Sequence, residues 1–256
     1  MVYGNHRRLA AKVRNPVMTV KRLILNAMRR TGYDLVRLNE ESHVWRRCRL
    51  MERAGVNLIL DVGANTGEFA KTMRAYFYQG RIVSFEPLRK AFGKLDRHAR
   101  RDPLWVAENF ALGDTNETRA INVAGNSASS SFLEMLPAHL ESAPESRYVG
   151  GEEVRIRILD EVFHDYVAQG DRVFLKGDTQ GYERNVLLGA RGSLAHIELV
   201  QLEVSLRPLY DGDLGVADAI EMLAGFSFVP VSFEPGFTDK TTGKQLQANI
   251  IFQREI

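Results

Sequence analysis

Two carboxylates 25 residues apart raise the first chemical question: Asp61 closes the apolar run "LILDV" and Glu86 closes "RIVSFE". Directly after Asp61 comes "GANTG", with Gly63 and Gly67 flanking Asn65. The glycines let backbone approach a ligand closely, and Asn65 is one of the few other residues that tolerates a left-handed conformation. The spacing fits one strand–turn–helix–strand unit and brings Glu86 beside Asp61 at one sheet edge. In open parallel sheets, ligands bind beyond the carboxyl ends of the strands. A carboxylate placed there can accept both hydroxyl protons of a ribose.

The glycine pattern is not the G-x-G-x-x-G of a dinucleotide site, which sets a pyrophosphate on the helix N-terminus. An acid before the turn suits a ligand with a cationic or amine end. S-adenosylmethionine, with a ribose, an amino-acid tail and a sulfonium, matches these residues. Two rivals stay open: a nicotinamide-dependent oxidoreductase, which calls for the tighter three-glycine turn, and a non-catalytic S-adenosylmethionine-binding protein.

The elements that must hold these residues follow from hydrophobic patterning. Strands are expected at 58–62, 81–86, 104–107, 155–158, 173–176 and 198–206, with a final antiparallel edge pair at 227–232 and 248–253. Helices are expected at 68–78, 89–99, 160–167, 183–188 and 216–224. Short strands alternating with helices imply a mostly parallel α/β sheet covered on both faces. Residues 113–151, rich in Ser, Gly and Asn, read as a long loop over the site. Upstream, Val17, Val20, Ile24 and Met28 form an apolar stripe on a helix over 17–30, and a second helix ends at Gly55. The expected division is a basic helical extension, 1–55, and a ligand-binding domain, 56–256.

Charge separates the same two parts. Residues 1–50 hold 12 Lys and Arg against 3 Asp and Glu, a net +9, which leaves −7 on the remainder. The basic stretch carries no nucleic-acid motif, so no nucleic-acid partner is expected. Its stripe has three outlets: packing on protein within the chain, pairing with a second copy in a homo-oligomer, or peripheral contact with an anionic membrane. Packing against protein is expected. The 256 residues contain one cysteine, Cys48, which excludes an intrachain disulfide and a cysteine zinc cluster. No apolar run approaches the roughly 20 residues of a membrane span, and the first thirty residues, with Arg and Lys throughout, do not read as a secretory signal. The expected location is cytoplasmic, with the inner membrane face as the alternative.

Further motifs run in order: "SFEPLRKAFGKL", "NFALGD", "GNSASSSF", "VFLKGDTQGYERNVLLGA" from Val173 and "LVQLEVSLRPLYDGD" from Leu199. Together with "LDVGANTGEF" they resemble the FkbM family of S-adenosylmethionine-dependent methyltransferases over roughly residues 56–254. The resemblance implies a class I methyltransferase (Rossmann-like) fold: a seven-stranded sheet with one antiparallel strand and helices on both faces. It implies O-methylation of a hydroxyl in a sugar or polyketide, here a small-molecule or glycolipid acceptor. Asp61, Gly63, Asn65 and Gly67 then match the cofactor loop, Glu86 the ribose acid, and Asn109, Phe110 and Ala111 the adenine position. Asp178 falls next to the methyl group, Glu203 on the following strand and Tyr210 in the loop beyond.

Two residues depart from the family pattern. Gly177 stands where an apolar residue usually precedes the motif acid, which weakens strand packing or makes room for a ligand. Asn249 stands where an acid is common. A sugar hydroxyl needs a base or a metal to become nucleophilic. Asp178 is positioned as that base, or as a hydrogen-bond partner of cofactor or loop. Asp178 and Glu203 together offer oxygen ligands for one Mg²⁺. His139, in the long loop, is the alternative base, able to swing over the substrate; His164 and His196 fall on or beside helices and read as surface residues. Ser127, Ser129, Ser130 and Ser131 are candidates for bonding acceptor hydroxyls.

Overall fold

The strands with continuous apolar character form the middle of one sheet, because a strand covered on both faces must be apolar on both. The computed structural model describes residues 24–31 and 37–255. Its main sheet has seven strands in the order β3-β2-β1-β7-β8-β10-β9. These are β1 (Leu58–Val62), β2 (Arg81–Phe85), β3 (Trp105–Glu108), β7 (Val173–Gly177), β8 (Ile197–Ser205), β9 (Phe228–Pro235) and β10 (Gln247–Arg254). All five residues of β1 and of β7 are buried. β10 runs antiparallel to both β8 and β9, so it alone opposes the other six.

Helices cover both faces. On one side α1 (His43–Arg53), α2 (Glu68–Ala75) and α3 (Arg89–Ala99) pack through Met51, Met73 and Leu95 on Ile59, Phe174 and Ile251. On the other, α5 (Leu159–Tyr166), α6 (Glu183–Leu188) and α7 (Val216–Ala224) pack through Phe163, Leu187 and Leu223 on Leu60, Leu175 and Val200. The alternation of neighbours along each strand sorts the two cores. Odd-numbered Ile59 and Asp61 face the first, while even-numbered Leu58, Leu60 and Val62 face the second.

Three expectations change. The segment read as a long loop contains a second sheet, in the order β4-β6-β5, made of β4 (Ala111–Gly113), β5 (Glu117–Ala124) and β6 (Tyr148–Ile158), with the short helix α4 (Pro137–Ser142) between β5 and β6. The first four residues of β5 are exposed, so this hairpin shows little apolar alternation to read. Next, the body begins at His43, upstream of the expected boundary at residue 56. Finally, Gly177 neither weakens β7 nor opens space. A Cβ there would lie 3.0 Å from Leu202 Cδ2, so the position is filled by the neighbouring strand.

Of the expected helix over 17–30, residues 24–30 are helical; Val17 and Val20 lie outside the described residues, as does most of the turn that follows. No helix among the described residues is long and apolar enough to cross a membrane.

Helix α1 is tied to the far sheet edge by charge. Buried Arg47 pairs with buried Glu234 of β9 through both guanidinium arms, and Arg46 donates to Ser232 Oγ at 3.3 Å. The Arg47 guanidinium also lies 5.2 Å from the ring centroid of Phe69, in the first turn of α2. Removing one partner of a buried pair leaves an uncompensated charge. Arg47→Met is therefore expected to cost about 3–5 kcal/mol in urea unfolding, with much of the loss recovered in Arg47→Met/Glu234→Leu. Equal destabilisation in both variants would show that the pair itself, not the stranded carboxylate, carries the effect.

Candidate active site

A cleft opens at the carboxyl ends of β1, β2 and β7. Its floor is the turn after β1. Gly63 (φ 72°), Asn65 (φ 47°) and Gly67 (φ 85°) are all left-handed there. Gly63 is required by contact as well as by angle: a Cβ would sit 1.9 Å from the Asp178 carbonyl oxygen. Gly67 leaves room for the Trp105 ring, which a Cβ would approach to 2.8 Å. Asn65 lines the cleft, and its buried side-chain Oδ1 has no hydrogen-bond partner.

Glu86 forms the adjoining wall and is 5% exposed. Its Oε2 accepts from Asn65 N at 2.7 Å and its Oε1 from Leu88 N at 2.9 Å. Burial pushes its carboxyl up to about 7, against the pull of those two backbone donors. A carboxylate has about four acceptor sites, so lone pairs remain for two further donors. Leu88, Ala111, Leu112 and Phe132 supply an apolar wall.

Asp61 is fully buried beneath the turn rather than in the cleft wall; it accepts from Ser84 Oγ at 3.1 Å and faces Lys176 Nζ at 3.1 Å. Asn109 braces the end of β2, donating to the carbonyls of Glu86 and Pro87 at 2.9 and 3.0 Å. Phe110 packs in the core against Phe85 (5.4 Å between centroids), and Ala111 lines the cleft.

The opposite wall is "DTQGYE". Gln180 is left-handed (φ 55°), and its amide joins three side chains. Nε2 donates to Asp178 Oδ1 at 3.0 Å and to Glu203 Oε2 at 2.8 Å, while Oε1 accepts from Tyr210 OH at 2.8 Å. Glu183, buried at the start of α6, accepts from both N and Oγ1 of Thr179 and so fixes the loop. Burial raises the Glu183 carboxyl to about 7. Burial, then the charges of Asp178 and Glu183, hold Glu203 well above the usual carboxylate range.

The two carboxylates expected to hold Mg²⁺ are thus bridged by an amide. Among the described residues no group of three or more His, Cys, Asp or Glu side chains is arranged to bind a metal.

His139 is not on a mobile loop. It sits in α4, 2% exposed, with ring centroids 5.1 Å from Tyr210 and 5.4 Å from Phe237, and is absent from the cleft wall. Burial lowers its pKa. A six-residue helix is too short to reveal a 3.6-residue period, which is why this stretch read as loop. His164 and His196 are exposed, as expected. Asn249 accepts from Gln201 Nε2 at 3.1 Å within the sheet.

Among the serines, Ser127 and Ser130 line the cleft; Ser129 Oγ lies 3.0 Å from Ser146 Oγ, and Ser131 Oγ donates to the Gln180 carbonyl at 2.7 Å. Sequence reading missed Gln180, Tyr182, Glu183 and Lys176. The lysine left a signal: a lone charge within "VFLKG", a strand otherwise fit for burial on both faces.

The family model described as the methyltransferase FkbM domain matches residues 61–230. The chain belongs to this family. Its members are S-adenosylmethionine-dependent methyltransferases, and the topology above is that of the class I fold. Family membership sets the nicotinamide reading aside. The chain is 24% identical over 180 residues to the 2-O-methyltransferase NoeI of Sinorhizobium fredii, covering 67% of this chain and 73% of that one.

Among solved structures, the FkbM methyltransferase of Methylobacillus flagellatus is 14% identical, with a TM-score of 0.44 over 76% of this chain. The match spans 43% of that longer protein. Magnesium protoporphyrin IX methyltransferase from Synechocystis, with bound SAM, is 10% identical, with a TM-score of 0.43 over 96% of this chain and 100% of that one.

The FkbM turn geometry generates a paired test. Gly63→Ala is expected to abolish S-adenosylmethionine binding in calorimetry and to lower stability by more than about 2 kcal/mol, from the left-handed angle together with the carbonyl clash. Gly93→Ala, in the interior of α3 with nothing within 4 Å of its Cβ, is expected to raise stability by about 0.5–1 kcal/mol and leave binding unchanged.

Proposed function

We propose that the protein is an O-methyltransferase that modifies a hydroxyl of a sugar-bearing small molecule or glycolipid. The observation that carries this reading is the meeting of Glu86 and Asp178 in one cleft, on either side of the left-handed glycine turn. Glu86 keeps two acceptor sites for ribose hydroxyls, and the unpartnered Asn65 Oδ1 suits an amine donor. The apolar wall of Leu88, Ala111 and Leu112 suits a purine face. These residues fit S-adenosylmethionine.

When bound, S-adenosylmethionine supplies an electrophilic methyl group on a sulfonium. The protein aligns the acceptor and removes its proton. Asp178 is the proposed base, its carboxylate oriented by the Gln180 amide and its side chain 36% exposed. It would accept the hydroxyl proton as the methyl group passes from sulfur to the acceptor oxygen, the S–CH₃ bond breaking to leave a neutral thioether. Ser127 and Ser130, in the loop after β5 and lining the same cleft, offer hydroxyls to a polyol acceptor. The name of the 2-O-methyltransferase relative supports oxygen as the methylated atom. Incubating the enzyme and S-adenosylmethionine with glycosylated lipids, free sugars and macrolides, and reading a 14 Da mass gain per transferred methyl (roughly one CH₂), tests the reading. Transfer to nitrogen or carbon acceptors alone would replace it.

Asp178→Asn keeps the shape and loses the base. Turnover is expected to fall by about 10²-fold or more at nearly unchanged affinity for S-adenosylhomocysteine. Normal turnover with weakened affinity would reassign Asp178 as a cofactor ligand.

The Glu86 carboxyl gives a pH signature. Its folded pKa of about 7 lies above its ordinary value, so the folded, ligand-free protein binds an extra proton between roughly pH 4.5 and 7. The Glu86 contribution to stability is complete below that window and is lost as pH rises through it. Ionised Glu86 is the better acceptor for ribose, so affinity for S-adenosylmethionine is expected to increase as pH rises through about 7. Calorimetry at several pH values should show this rise in the natural protein and a flat profile in Glu86→Gln.

A further inference from the structure

Lys176 projects from β7 into the notch between the ends of β1 and β7, on the face covered by α2. Four oxygens surround its ammonium. Gly63 O accepts at 3.2 Å and Val62 O at 3.4 Å, Asp61 Oδ1 lies 3.1 Å away, and Asp178 Oδ2 lies 3.6 Å away. The Phe69 ring closes the notch, with its centroid 5.6 Å from Nζ. Asp61 Oδ1 is the nearest of the four, and the ammonium is shared between that carboxylate and the two carbonyls that lead from β1 into the turn.

A lysine needed only to neutralise Asp61 would have no other partner. This one also donates to the backbone of the cofactor turn and reaches, by charge alone, the carboxylate on the opposite wall. We propose that Lys176 is a positioning residue that fixes the cofactor turn and Asp178 relative to each other, so that the two halves of the cleft are set by one buried ammonium. Its part toward Asp178 rests on the reading of Asp178 as base; its part toward the turn does not.

The charged and titratable groups around it come from every neighbouring element: Asp61 on β1, Glu86 after β2, Asp178 after β7 and Glu203 on β8. Burial works against the ammonium charge, and Asp61 and Asp178 outweigh it, keeping the lysine protonated.

Three variants of the full chain test the proposal: Lys176→Met, Asp61→Asn and Asp61→Asn/Lys176→Met. The probe is S-adenosylhomocysteine in calorimetry, with urea unfolding as the control for stability. Lys176→Met strands Asp61, so a loss of stability there is expected and decides nothing by itself. The double variant removes both charges and is expected to recover the urea midpoint while binding the probe at least tenfold more weakly than the natural protein. Asp61→Asn keeps the ammonium on both carbonyls and is expected to bind the probe more tightly than the double variant, so the difference between the two isolates the lysine.

Probe binding at the natural level in the double variant would overturn the proposal, since Lys176 would then serve Asp61 alone. Should the double variant not fold, the two single variants decide: Lys176→Met binding the probe as tightly as Asp61→Asn would overturn the proposal, and binding at least tenfold weaker than Asp61→Asn in folded protein would uphold it. Methyl transfer adds the second half. For the acceptor giving the largest mass gain in the panel above, kcat of the double variant at saturating S-adenosylmethionine is expected to fall at least tenfold with the acceptor KM nearly unchanged, because Asp178 is no longer held against the turn. An unchanged kcat would overturn the Asp178 half. A normal Asp178→Asn enzyme would instead remove the base reading and leave the binding arm to judge Lys176 on the turn.

Discussion

The ends of β1 and β7 touch backbone to backbone. Asp178 N donates to Val62 O at 3.2 Å, and the Asp178 carbonyl occupies the place a Cβ on residue 63 would take. No side chain fits between the strands at that point. Residue 63 must therefore be glycine, and its left-handed angle turns the chain out of β1 into the loop that carries Asn65. The same contact places Asp178 at the lip of that loop. Glu86 follows one strand away, held by Asn65 N from the turn itself. The geometry of the whole cleft floor hangs on this approach.

Around the floor, burial and charge pull against each other. Glu86, Glu183 and Glu203 are held in surroundings that disfavour their ionised forms. Each is compensated by a specific donor: backbone N–H for Glu86, both donors of Thr179 for Glu183, and the Gln180 amide for Glu203. The left-handed angle at Gln180, costly for a residue with a side chain, is stabilised by Ser131, Tyr210 and the two carboxyl groups. Strain and unusual protonation gather at the cleft, while β1, β7 and β8 behind it are apolar apart from a few paired polar groups.

What could be read from the chain follows from where its side chains end up. The seven-stranded sheet was legible because strands such as "LILDV" lie under helices on both faces and must be almost continuously apolar. Glu86 was legible because one strand–turn–helix–strand unit has a fixed length. The second sheet was not, because half of β5 faces water and Gly150 and Gly151 interrupt β6. His139 misled because a polar residue in a Ser- and Pro-containing stretch reads as solvated, whereas Tyr210 and Phe237 arrive beside it from distant parts of the sequence. Helix α1 was assigned to the basic extension because Arg46 and Arg47 look like surface charges. Their partners, Ser232 and Glu234, lie nearly 190 positions away, and no local pattern announces such a pairing.

The second sheet meets the first along a short seam: Ser131 on the Gln180 carbonyl, Phe132 against Tyr182 at 4.8 Å, and β4 running on from β3 through Asn109 and Phe110. Glu86, Asn65 and the glycine turn lie on one side of that seam, Ala111 and Leu112 on β4 lie at it, and the loop carrying Ser127 and Ser130 lies beyond it. The roof and the floor can thus accumulate substitutions on separate schedules. A lineage that keeps the seam intact can reshape residues 117–130 and change what the cleft admits without rebuilding the sheet that activates it. On the proposed reading, selectivity is inherited by the segment around β5, and reactivity by the strands beneath.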